Sequence, residues 1–74
     1  MNWYITKIVF NVSENESPEA SRFDEQLRLV TADCKEEAFI KARTLGLHEE
    51  DLRYYDTRKR SKWEFINVSE VIPL

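Results

Sequence analysis

Glycine, cysteine and histidine each occur once in the 74 residues, as Gly46, Cys34 and His48. These scarcities exclude more chemistry than any motif supplies. A loop that wraps phosphate groups needs several glycines, so that its backbone N–H groups can close on the anion. A zinc site draws on clustered cysteine and histidine. A nucleophilic triad needs a serine or cysteine beside a histidine oriented by a third group. A lone cysteine has no mate within the chain, which points to a reducing compartment. No apolar run approaches the ~20 residues of a membrane-spanning helix. The opening Met1-Asn2-Trp3-Tyr4 lacks the basic start and apolar stretch of an export signal. The chain therefore reads as a soluble, cytoplasmic, non-enzymatic protein with no cofactor, no metal and no membrane partner.

What is present suits a folded domain. Hydrophobic residues make up 42% and aromatics 12% of the chain, too much for a disordered segment. The length allows a single domain over residues 1–74. A core this small leaves little stability to spare, so help from a partner subunit is expected. The net charge is −3, but its distribution is uneven. Arg53, Arg58, Lys59, Arg60 and Lys62 face only Asp56 within residues 53–62, on an otherwise acidic chain.

Residues 3–12 are rich in β-branched and aromatic side chains on both alternating faces. Tyr4, Thr6, Ile8, Phe10 and Val12 share one; Trp3, Ile5, Lys7, Val9 and Asn11 share the other. Apolar character on both sides predicts a central strand. Residues 13–22 are polar, with Pro18, and read as a loop. Residues 23–31 alternate as an antiparallel second strand. A helix is expected from Asp33, whose carboxylate and Glu36 three residues on resemble a capping box. Its apolar stripe is Ala38, Phe39, Ala42 and Leu45, with Ile40 off the stripe and Glu37–Lys41 as an i,i+4 pair. Gly46 is expected just past the helix end, where a left-handed residue is needed, with Leu47 following as its apolar contact. His48–Asp51 reads as an acidic turn and 52–57 as a short strand. Residues 58–61 form a polar turn. A last strand spans 62–68, with Trp63 and Phe65 on one side and Ile66 and Val68 on the other. Residues 71–74 form an apolar tail.

The fold class is α+β. The order is β-β-α-β-β, a four-stranded mainly antiparallel sheet with one helix packed on one face. The expected strand order is 2-1-3-4, the alternative placing the last strand beside the first. One helix covers one sheet face. The other must be covered by the tail, a second subunit or both. The expected interface residues are Trp3, Ile5, Val9, Val71, Ile72 and Leu74, and the expected partner is a second copy or another protein.

A second surface is the basic segment. Tyr54, Tyr55, Arg58, Lys59, Arg60 and Lys62 combine cations for phosphates with aromatic faces for bases, as single-stranded RNA-binding modules do. A solvated charged turn explains the same residues more simply. His48 with Glu49, Glu50 and Asp51 has the composition of a metal cluster, although adjacent residues rarely converge on one ion. Asp24 and Glu25 fall on opposite strand faces, unsuited to acid–base work. Cys34, near a helix start, is a candidate for a lowered thiol pKa and more simply a small residue in the first turn.

Several segments together carry a resemblance. These are Trp3-Tyr4 with Lys7-Ile8-Val9-Phe10, Phe23-Asp24-Glu25-Gln26-Leu27-Arg28-Leu29 with Ala32-Asp33, Glu36-Glu37-Ala38 with Lys41-Ala42-Arg43 and Gly46, and Trp63-Glu64-Phe65 with Val68. The chain resembles the small bacterial proteins of domain-of-unknown-function family 4288. That resemblance implies a bacterial source and transfers no catalytic residue.

Overall fold

The computed structural model describes residues 1–14, 21–54 and 61–74. Its elements follow in the order β1 (Asn2–Glu14), β2 (Ser21–Ala32), α1 (Lys35–Tyr54) and β3 (Ser61–Pro73). The sheet is antiparallel, with β1 between β2 and β3. The doubly apolar opening segment thus takes the centre, as its composition requires. Tyr4, Thr6, Ile8, Phe10 and Val12 line its buried side and form the core with Val30, Ala32, Val68 and Val71. Among the described residues, Thr6 is the buried polar one. Its hydroxyl donates to the Arg28 carbonyl at 2.9 Å, so its burial leaves no orphaned group.

The fold is α+β as expected, but the described sheet has three strands, not four. Residues 52–54, expected to open a strand, are the last turn of α1. Residues 55–57 of that expected strand, and the polar turn at 58–60, lie outside the described residues. The order 2-1-3-4 is replaced by the pairing of the last strand with the first. That pairing brings Trp63 and Phe65 edge-on to Phe10, with ring centroids 5.4 and 6.3 Å away.

The helix differs from expectation at both ends. The first helical hydrogen bond runs from the Ala38 N–H to the Cys34 carbonyl at 3.1 Å, so Cys34 holds the N-cap position and Asp33 precedes it. The carboxylate that reaches back is Glu37, accepting from the Asp33 N–H at 3.4 Å, and not Glu36. The Glu37–Lys41 ion pair is present at 3.3 Å.

Gly46 does not end the helix. It lies mid-helix, four residues beyond Ala42 and eight beyond Ala38, and all three are buried. A Cβ on Gly46 would sit 2.5 Å from Phe65 Cε2 and 3.1 Å from Ile8 Cγ2. Close approach to the sheet is therefore the reason for this glycine, not backbone handedness. The same closeness moves Phe39 and Leu45 off the expected stripe to its half-exposed flanks. Beyond Gly46 the attachment becomes polar. The Phe65 N–H donates to Glu50 Oε2 at 2.7 Å. Glu49 bridges Arg28 at 3.5 Å and Arg53 at 3.4 Å. The Arg53 guanidinium lies 3.8 Å from the centroid of a Trp63 ring. These ties extend the helix through the segment expected to be an acidic turn.

Strand β3 also departs from strict alternation. Trp63, Phe65, Val68 and Val71 all face the core, against Val12, Phe10, Ile8 and Thr6. Their spacing lengthens from two to three residues because the register shifts at two points along β1, between Lys7 and Ile8 and between Val9 and Phe10. Val68 therefore joins Trp63 and Phe65 rather than opposing them. The apolar tail is the end of this strand, closed by a Leu74 N–H to Trp3 carbonyl bond of 3.0 Å. It widens the sheet and covers neither face.

Candidate functional site

The helix occupies one side of the sheet. On the other, no described element lies over the side chains. Register fixes its composition. Ile5 lies between Leu29 and Ile72, Lys7 between Leu27 and Glu70, Val9 between Glu25 and Asn67, and Asn11 between Phe23 and Glu64. Trp3 and Leu74 complete the apolar end. Of the expected interface residues, Trp3 is 55% exposed and Leu74 and Ile72 are exposed, while Ile5 and Val9 are half-buried. Val71 is the exception. It is buried under α1, on the side of Trp63 and Phe65, because the two register shifts cancel and the tail continues β3; it leaves the expected interface.

The second strand contributes more than its sequence alone suggested. Phe23, Leu27 and Leu29 are 74%, 58% and 59% exposed on the uncovered side. The opposite side of β2 carries Arg22, Asp24, Gln26 and Arg28 before Val30 and Ala32. The strand is thus inverted over most of its length, with polar residues on the helix side and apolar ones toward solvent. The pattern was readable as Phe23, Leu27 and Leu29 sharing a face. Which face the helix takes was not.

Charge on this surface is mixed. Lys7 Nζ pairs with Glu70 at 3.1 Å. The hydrogen bond and charge of Glu70, with a smaller contribution from Glu25, raise the Lys7 ammonium above its ordinary pKa.

Among the described residues, the remaining candidates do not assemble into a site. Tyr55, Arg58, Lys59 and Arg60 lie outside the described residues. Tyr54 closes α1, and Lys62 is exposed on β3 opposite Ser13. Trp63, the aromatic residue at the far end of the basic segment, is turned inward between Phe10 and Arg53. His48 is exposed on the helix, whereas Glu49 and Glu50 reach to Arg28 and the Phe65 N–H. Among the described residues, no group of three or more His, Cys, Asp or Glu side chains is placed to hold a metal ion. Asp24 and Glu25 fall on opposite faces, and Cys34 is an exposed free thiol. No helix among the described residues is long and apolar enough to cross a membrane.

A family model described as Domain of unknown function (DUF4288) matches residues 3–74. The chain belongs to that family. The DUF4288 match runs from Trp3 through the end of β3, so it takes in both faces of the sheet. No curated protein and no solved structure matches the chain.

Proposed function

We propose that this DUF4288 chain is a non-enzymatic protein-interaction module whose contact surface is the sheet face opposite α1. The inverted polarity of β2 carries the reading. Three large apolar side chains on one strand face water while four polar ones face the helix side. Leu29 runs on into Ile5, Ile72 and Trp3, and contiguous exposed apolar surface of this kind marks interaction sites in soluble domains. A bacterial, cytoplasmic setting suits the family resemblance and the unpaired Cys34. Binding of single-stranded RNA by the 53–63 segment is the other reading of the sequence, and the inward turn of Trp63 removes one of its stacking faces. A photo-crosslinking residue at Leu27, compared with one at Arg43 on the helix, tests the reading in a cell lysate. Protein adducts at 27 and not at 43 are expected. Adducts at 43 alone, or at neither position, contradict it.

A further inference from the structure

Both edges of the sheet carry guards against strand addition, and its uncovered face carries none. The Arg28 carbonyl lies on the β1 side of β2, where Thr6 donates to it. By alternation, the carbonyls of Leu27 and Thr31 point outward along the free edge. Each is taken by a cation of the same chain: Arg28 Nη1 on Leu27 O at 2.8 Å, and Lys41 Nζ on Thr31 O at 2.5 Å. On the opposite edge, β3 carries two register shifts, a proline at Pro73 and the Glu50 carboxylate on the Phe65 N–H. Bulges, prolines and charged side chains are the usual guards against edge-to-edge pairing. These features disfavour extension into a longer sheet on both sides and favour face-to-face stacking.

Resting on the interaction-module reading, we propose that the occupant of the uncovered face is a second copy of this chain, stacked sheet against sheet as a two-fold sandwich. Area supports a copy. Three strands ~4.8 Å apart over the 41 Å length of the molecule present roughly 600 Å². Two such faces remove about 1,200 Å², where stable specific interfaces begin. Charge supports it too. Lys7 and Lys62 share the face with Glu25, Glu64 and Glu70, so the surface does not repel itself. A face of one sign would instead select a partner of the opposite sign.

Sedimentation equilibrium of the purified chain from about 1 µM to about 1 mM reads the association. A monomer–dimer equilibrium is expected. Leu27→Arg and Leu29→Arg, both at exposed positions, are expected to weaken it roughly a hundredfold or more without changing the far-ultraviolet circular dichroism. Ile40→Arg on the helix is expected to leave it unchanged. Amide exchange in the dimer distinguishes stacking from sheet extension, because the edge N–H groups of Phe23, Glu25 and Leu29 stay fast in a stack. A monomer at every concentration overturns the proposal. So does a dimer indifferent to Leu27→Arg and Leu29→Arg, or one that slows those edge amides. A strict monomer that still crosslinks a different protein through position 27 removes the second copy and keeps the module reading; with no adduct at 27, both fall.

Discussion

Along β1, Tyr4, Ile8, Phe10 and Val12 lie under a helix, whereas Trp3, Ile5 and Val9 on the same strand lie under no described element. The contrast sharpens on β2, where the helix side is the more polar of the two. The closed side is built for close fit, with two alanines and a glycine lowering the helix onto aromatic rings. The open side is built for contact, with large side chains standing free and ions of both signs between them. A domain that stood alone would have little reason to place Phe23, Leu27 and Leu29 outward and Asp24, Gln26 and Arg28 inward.

The largest expected effect falls on the closed side. Phe10→Ala removes the ring that Trp63 and Phe65 both meet and should cost about 3–5 kcal/mol, measured by urea unfolding. Leu27→Ala removes a side chain of similar apolar character from the open side. At concentrations below association it should change stability by no more than about 0.5 kcal/mol. Comparable losses from the two substitutions would contradict the distinction between the faces.

Gly46→Ala sets two effects against each other. Helix propensity alone favours alanine by about 1 kcal/mol. The overlap of the new Cβ with Phe65 and Ile8 opposes it, at about 1–3 kcal/mol for overpacking. The ring of Phe65 is held at the centre of the closed side, so the overlap should win and the melting temperature should fall. A rise would mean that the helix stands further from the sheet than described.

Much of this arrangement was legible beforehand. The central position of β1, the antiparallel second strand, the Glu37–Lys41 pair and the shortage of cover for one face all follow from alternation and helical spacing. Three features were not, and each has a tertiary cause. Gly46 carries no local mark separating a helix end from a close contact, since both call for a missing side chain. The helix beyond it holds to the sheet through Glu49, Glu50 and Arg53, charged residues that local patterning assigns to solvent. The spacing of Trp63, Phe65, Val68 and Val71 fits neither period two nor period 3.6, because register shifts belong to a pair of strands and not to one. The candidate surface was partly legible for the same reason. Trp3, Ile5 and Val9 were grouped on one face of β1, as the register has them, while Val71 was read as part of a covering tail rather than as the end of a strand, and Phe23, Leu27 and Leu29 were left out.

Glu50→Ala tests the polar attachment of the helix. It leaves the Phe65 N–H without its carboxylate acceptor and should cost about 1.5–3 kcal/mol, the range for a hydrogen bond to a charged group. Amide exchange at Phe65 should accelerate in the variant. Unchanged exchange would show that the contact does not hold the helix end.

The smallest effect concerns Lys7 and Glu70 on the open side. The folded-state pKa of Lys7 is raised, so its stabilising share is complete below the ordinary lysine value of about 10.4. It is lost as pH rises through the raised value. The difference in melting temperature between the natural chain and Glu70→Gln should therefore be constant from neutral pH to about pH 9 and vanish in stronger alkali. A difference that grows with pH would contradict the assignment.

Isotope-filtered nuclear Overhauser spectroscopy, on a mixed sample of labelled and unlabelled chain, looks directly at what covers the open face. Stacking predicts contacts between the methyl groups of Leu27, Leu29 and Ile5 in one copy and the Trp3 indole or Phe23 ring of another. Intermolecular contacts confined to Phe39 and Ile40 on the helix, or none at about 1 mM, would contradict it.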